Sequence, residues 1–341
     1  PDGYVCVRVD SRGTGRSPGY LDHFSPRETR DLYDCIEWAA EQPWSDGKIG
    51  LSGISYLAIN QWHVASLQPP HLVAMIPWEG AADWYRDMTH HGGMLSTFWD
   101  NWYDMQVLGV QHGYGERGPS NPITGELVAG PGTLSDAELE ANRAPFGDEI
   151  LAHPLDDEYH RDRSPVWPRV EVPFLTSGNW GGHGLHLRGN VEGFVRAASP
   201  QKWMEIHGLE HWTHYYTDYG VNLQKRFFAH FLQGADNGWD REPRVRLQVR
   251  RIDGFVERTE HEWPLARTRW THYYLDAAGR RLRTAPEDSA ATAAFAADGE
   301  GITFSTSPFP DETEITGPAA VRLHVSSSTT DADLFVVLRV F

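Results

Sequence analysis

The stretch "KIGLSGISYLAINQW", Lys48 to Trp62, sets a serine between a short apolar run and a segment with helical spacing. A strand-to-helix turn of this kind can force its central residue into a strained conformation that exposes the side-chain oxygen, and it needs small neighbours because the backbones crowd there. Gly53, two residues before Ser55, meets that need. The position two after the serine is Leu57, however, and the next small residue is Ala58. The competing reading is a serine that only caps a helix. If the turn is a nucleophile elbow, the first N–H groups of the helix, that of Tyr56 foremost, can stabilise an oxyanion.

Around this turn the chain alternates strand and helix. Tyr4 to Val9 reads as a buried strand, closed by the Gly/Ser/Pro-dense loop "DSRGTGRSPG". A helix is expected next: Ser25 as N-cap, Pro26 at its first position, Glu28 completing a capping box, and Leu32, Cys35 and Ile36 on one face, with Pro43 beyond its end. "HLVAMIPWEG", His71 to Gly80, supplies another buried strand. The alternation predicts an α/β fold with a parallel sheet. Ligands in such sheets bind at the carboxyl ends of strands, so the Asp10 loop, the Ser55 turn and the Glu79 turn share one rim.

Four segments follow from the pattern: core at 1–80, an aromatic-rich and partly helical insertion at 81–164, core again at 165–240, and an all-β module from 241 to 341. In the second core segment "VPFLTSGNW" and "QKWMEIHG" read as strands, with a helix near Leu185 to Ala197 and another from Val221 to Leu232. In the last, "RVRLQVRRI", "TRWTHYYLD" and "AAVRLHVSSS" alternate apolar and polar residues.

Composition narrows the function. The 341 residues, 40% of them hydrophobic, are enough for two cores, and a formal charge of -17 argues against binding a phosphate backbone. Cys6 and Cys35 read as small core residues rather than a disulfide. No run approaches the roughly 18 to 20 apolar residues of a membrane helix, so the expectation is a soluble, weakly cytoplasmic protein with neither nucleic acid nor membrane as partner. Homo-oligomerisation stays open. Both ends fall within apolar runs, which suggests a fragment.

"DGYVCVRVDSRGTGRSPG", "WSDGKIGLSGISYLA", "GNWGG", "HGLEH" and "FFAHFLQGADNGW" occur in an order and spacing that resembles the cocaine esterase and X-Pro dipeptidyl-peptidase family of serine hydrolases. The resemblance covers nearly the whole chain. It implies an α/β-hydrolase core, a helical cap inserted after the strand that follows the elbow, and a C-terminal jelly-roll. It also implies Ser55 as nucleophile and His211 as the catalytic histidine, with His207 and His214 as rivals. The family's small residue falls one position later than in the common elbow, where Ala58 stands. Its second oxyanion donor would precede Pro1.

The acid departs from the family pattern. The turn that should carry an aspartate is "GNWGGHG", with Gly182 at that place. A triad still needs a buried anion to orient the imidazole, and Glu79, ending the strand after the elbow helix, is the candidate. Asp157 or Glu158 is the next choice, though Asp157 more naturally contacts substrate. Trp84, with its aromatic neighbours Tyr85, Phe98, Trp99, Trp102 and Tyr103, is cap core or the wall of an acyl pocket. His183 and His186 are assigned to the turn and helix that replaced the aspartate loop, and His90 and His91 to the cap or its surface, with a pocket role for one of them as the alternative. An X-Pro peptidase would need carboxylates to grip an amino group, and Asp83, Asp87, Asp156, Asp157 and Glu158 could supply them.

"HGLEH" also matches the inverted zinc-protease signature H-x-x-E-H, but that motif needs a helix. Gly208 costs about 1 kcal/mol in a helix interior and the preceding residues read as strand. No metal or other cofactor is expected. The partner implied is a small ester or amide substrate. A relative that kept the fold and lost activity is the alternative of another class.

Overall fold

The structure, a computed structural model, describes residues 2–182 and 184–341. It divides into two compact units, residues 1–261 and 262–341.

In the first unit α1 (Pro26–Ala40) begins as the sequence predicts, Ser25 accepting from the Glu28 N–H. Glu28 does not close the capping box. Its carboxylate instead accepts from the Phe24 N–H and from the Tyr56 hydroxyl, each at 2.6 Å, which ties the helix to the serine turn. Then come β1 (Ile49–Ile54), α2 (Tyr56–Ala65) and β2 (Leu72–Trp78). The β2 run is apolar and almost wholly buried, as expected for a strand covered on both faces.

The insertion carries two-residue strands β3 (His90–His91) and β4 (Met94–Leu95), then α3 (Trp99–Gln106), α4 (Asp136–Ala141), α5 (Phe146–Ala152) and α6 (Glu158–Arg161). Its core is aromatic: Trp84, Trp99, Trp102 and Phe146 are buried together with Leu21 and Phe24 from the loop before α1. That loop is stitched to the insertion by backbone bonds, among them Leu21 N–H to Asn142 and Ala144 N–H to Leu21.

Core strands resume with β5 (Phe174–Asn179), followed by α7 (Leu187–Arg196), β6 (Lys202–His207), α8 (Thr213–Tyr216) and α9 (Asp218–Gln233). Gly234, in the left-handed region at φ 69°, ends α9. Strands β7 (Val245–Arg251) and β8 (Gly254–Glu260) complete a six-stranded sheet of order β1-β2-β5-β6-β7-β8. All pairs are parallel except the β7/β8 hairpin.

Four expectations need correction: Cys6, expected in the core, is exposed, and three strand readings change. Tyr4 to Val9 forms no strand among the described residues, and Val5, Val7 and Val9 are exposed. An apolar run becomes a strand only where an edge is there to receive its N–H and C=O groups. "RVRLQVRRI", expected to open the all-β module, pairs with β6 in the core sheet. Among the described residues of the second unit only β9 (Tyr274–Asp276) and β10 (Arg281–Arg283) pair as strands, and "AAVRLHVSSS" contains none. Alternation specifies which face a side chain takes, not which strand will be its neighbour.

Candidate active site

The Ser55 turn has the features of an elbow. Ser55 sits at φ 60°, ψ -116°, a backbone conformation that costs a non-glycine residue about 1–3 kcal/mol. The turn is held by the Ser55 N–H donating to Trp78 O and by the Ala58 and Ile59 N–H groups donating to Ser55 O. Its side chain caps nothing. Gly53 is obligatory, since a Cβ there would lie 2.3 Å from Leu57 Cβ. Leu57 itself is 62% exposed, whereas Ala58 is wholly buried beneath Gly80. The crowded position is therefore the third after the serine. Tyr56 opens α2, where the first N–H groups have no acceptor within the helix.

One strand over, Glu79 follows β2 and is also left-handed at φ 56°. Three hydrogen bonds hold this turn: Glu79 N–H to Ser177 O at 2.7 Å, Gly80 N–H to Asn190 Oδ1 at 3.0 Å, and Asn179 Nδ2 to Glu79 Oε1 at 2.9 Å. The carboxylate is fully buried, and its Oε2 lies 3.7 Å from His211 Nδ1. His211 follows β6 in the loop before α8.

Between serine and His211 stands a residue that sequence reasoning had left to structure. His186 Nε2 is 3.2 Å from Ser55 Oγ, and the His186 ring stacks on that of His211 at 4.6 Å between centroids. The cause is the turn after β5. The Leu185 and His186 N–H groups donate to Gly182 O, so the chain closes at once into α7. A side chain at 182 would come within 3.1 Å of Leu187 N. The turn that the family pattern uses for an aspartate here delivers a histidine. The expectation for His183 lies outside the described residues.

The other expected residues stand apart from this group. Trp84 is 1% exposed inside the insertion's core. Asp157 caps α6 and bonds His153 and His160. Glu158 is the first residue of α6. Asp83 and Asp156 pair with Arg86, and Asp87 with Arg188. His90 and Tyr85 stack on one another within the insertion, and His91 bonds the Asp87 carbonyl.

A second glutamate and histidine group lies deeper. Glu205, on β6, accepts from Ser177 Oγ, its register partner on β5, and from His207 Nδ1 at 2.9 Å, while His214 Nε2 is 3.4 Å away. Burial alone would raise this carboxyl, but the hydrogen bonds from His207 and His214 outweigh it and hold it down at about 2. His207 Nε2 in turn lies 3.5 Å from Glu79 Oε1. The signal was present in "KWMEIHG": a glutamate and a histidine two apart on a buried strand share one face.

Two trios, Glu79/His186/His211 and Glu205/His207/His214, bring their ligand atoms within 4.8 Å of one another. In each the two imidazole planes lie close to parallel, at 29° and 33°. The histidines of H-x-x-E-H fall in different trios, and His207 ends a strand instead of starting a helix. The zinc-protease geometry is not formed.

A strained serine at a strand-to-helix turn, on the rim of a parallel sheet and facing a histidine, defines the α/β-hydrolase class. The X-Pro dipeptidyl-peptidase (S15 family) model matches residues 1–251, and the model of the X-Pro dipeptidyl-peptidase C-terminal non-catalytic domain matches 237–341. The chain belongs to the S15 family. It is 24% identical to cocaine esterase from Rhodococcus sp., over 97% of this chain and 69% of that one. A crystal structure of a CocE/NonD family hydrolase from Staphylococcus aureus matches at TM-score 0.68 and 36% identity, over 81% of this chain. The chain spans 45% of that protein's length. An α-amino acid ester hydrolase, at TM-score 0.50 and 16% identity, shares the fold.

Proposed function

We propose that the protein hydrolyses esters or amides of small acyl substrates through a covalent acyl-enzyme. The observation that carries this reading is Ser55 held at φ 60° with a histidine nitrogen 3.2 Å from its Oγ. In the first half-reaction Ser55 Oγ bonds to the acyl carbon, its proton passes to an imidazole, and the bond to the leaving alkoxide or amine breaks as that group takes the proton. Water repeats the sequence to release the acid. The Tyr56 N–H donates to the oxyanion, and Glu79 orients His211, which is the base. Family membership supports the choice of serine chemistry. Residues 241–341, all within the match of the C-terminal family model, are assigned to the β-sandwich module, of which β7 and β8 are paired into the core sheet.

The Ser55 to His186 contact favours a second reading, in which His186 is the base and His211 its stacked support. A fluorophosphonate probe tests the scheme. Rapid labelling of the full-length protein, lost in Ser55→Ala, is the expected outcome, whereas an unlabelled serine would identify a relative without hydrolase activity. Loss of labelling in His211→Ala with labelling kept in His186→Ala selects the first reading, and the reverse selects the second. Turnover of acyl esters against Xaa-Pro amides then separates esterase from aminopeptidase.

A further inference from the structure

We propose that His207, buried behind the site and outside the triad, is a positioning residue: it carries both ring protons between Glu205 and Glu79, and so keeps Glu79 ionised and aimed at His211. The proposal rests on the catalytic reading above. Its ground is the geometry of two carboxylates meeting one imidazole.

Glu79, Glu205 and His207 are respectively 0%, 1% and 0% exposed. A neutral imidazole has one N–H and one lone pair. Here Nδ1 faces Glu205 Oε2 at 2.9 Å and Nε2 faces Glu79 Oε1 at 3.5 Å. Either neutral tautomer would set a lone pair against a buried carboxylate. The doubly protonated ring donates through Nδ1 to Glu205, sets its Nε2–H toward Glu79 at ion-pair distance without a formed hydrogen bond, and supplies the cation that two buried anions need.

The remaining groups around the ring do not substitute for it. His214, from α8, stacks on His207 at 4.4 Å and reaches Glu205 alone. From β5, Ser177 donates to Glu205 and Asn179 to Glu79, both uncharged. Trp78, from β2, offers only its ring, at 5.7 Å. On the far side of Glu79 stands His211. The two oxygens of Glu79 are thereby divided: Oε1 faces Asn179 and His207, and Oε2 faces His211.

The sign of the effect on catalysis follows. Activity needs Glu79 ionised and the general base neutral. Removing a positive charge beside Glu79 makes the protonated form of each cheaper, so the rising limb of kcat/KM against pH moves to higher pH. In His207→Gln of the full-length protein we expect kcat to fall about 100-fold, the scale of loss when a reacting group is misplaced by about 1 Å, and the limb to move up by about one pH unit. A fall in kcat with the limb unmoved, or parent-like turnover, overturns the proposal. A second measurement needs no variant: nitrogen shifts of the parent at pH 8, identified through contacts to the Trp78 ring, should show both His207 nitrogens protonated. A pyridine-type nitrogen there overturns it. That readout is independent of activity, so its failure and an unlabelled Ser55 are distinct results.

Discussion

The molecule contains two sets of the same parts. On the rim, Ser55, His186, His211 and Glu79 form one chain of contacts; two strand ends deeper, Ser177, His207, His214 and Glu205 form another. Each has a serine, two stacked histidines and a glutamate. The difference lies in what the serine faces. Ser177 is fully buried within a strand and donates to a carboxylate, whereas Ser55 sits at a strained turn against an imidazole nitrogen. A hydroxyl bound to an anion keeps its proton. One bound to an imidazole can lose it to the ring as the bond to carbon forms.

The sharpest way to break this comparison is Glu79→Gln. By analogy with loss of the triad acid, kcat should fall by about 10⁴-fold with the fold intact, and single-turnover kinetics should place the loss in acyl transfer. Near-normal turnover would remove Glu79 from the site.

A smaller effect belongs to His63, a histidine buried without a carboxylate. Burial pushes His63 down to about 4, so the folded state holds it neutral. Below its ordinary value of 6.5 the unfolded chain binds more protons than the folded one. Stability from this group is therefore complete above pH 6.5 and falls as pH drops toward 4, by about 3 kcal/mol. His63→Gln should flatten that slope in denaturant titrations at pH 7, 5.5 and 4, and an unchanged slope would sink the assignment. The smallest effect on activity belongs to Ser177→Ala, expected to cost about 1.5–3 kcal/mol of stability for a lost hydrogen bond to a charged group. It should leave fluorophosphonate labelling at the parent level, and reduced labelling would erase the distinction between the sets.

Much of the rim was legible because its signals are local. Gly53, Ser55 and Ala58 give the elbow, and Glu79 and His211 each lie in the turn or loop that follows a core strand. The helix that begins at Ser25 and Pro26 was legible from its capping residues. His186 was not, since its place depends on how tightly the Gly182 turn closes, which spacing along the chain does not encode. Of the inner set, His207 and His214 were weighed only as rivals of His211, and Glu205 and Ser177 escaped notice for a different reason: Glu205 reads as a misplaced charge until Ser177, in another strand, is known to be its neighbour. Partner choice between strands likewise hid the capture of Val245 to Arg251 by the core sheet.

One consequence of the insertion's core concerns exchange between relatives. Leu21 and Phe24 lie some sixty residues before the insertion begins, yet they are buried inside it with Trp84, Trp99 and Trp102. A graft cut at residues 81 and 164 would leave the donor's aromatics facing a foreign loop and this chain's two side chains without their cavity. The heritable unit is discontinuous: the segment from Ser11 to Phe24 must travel with the insertion for either to keep its shape.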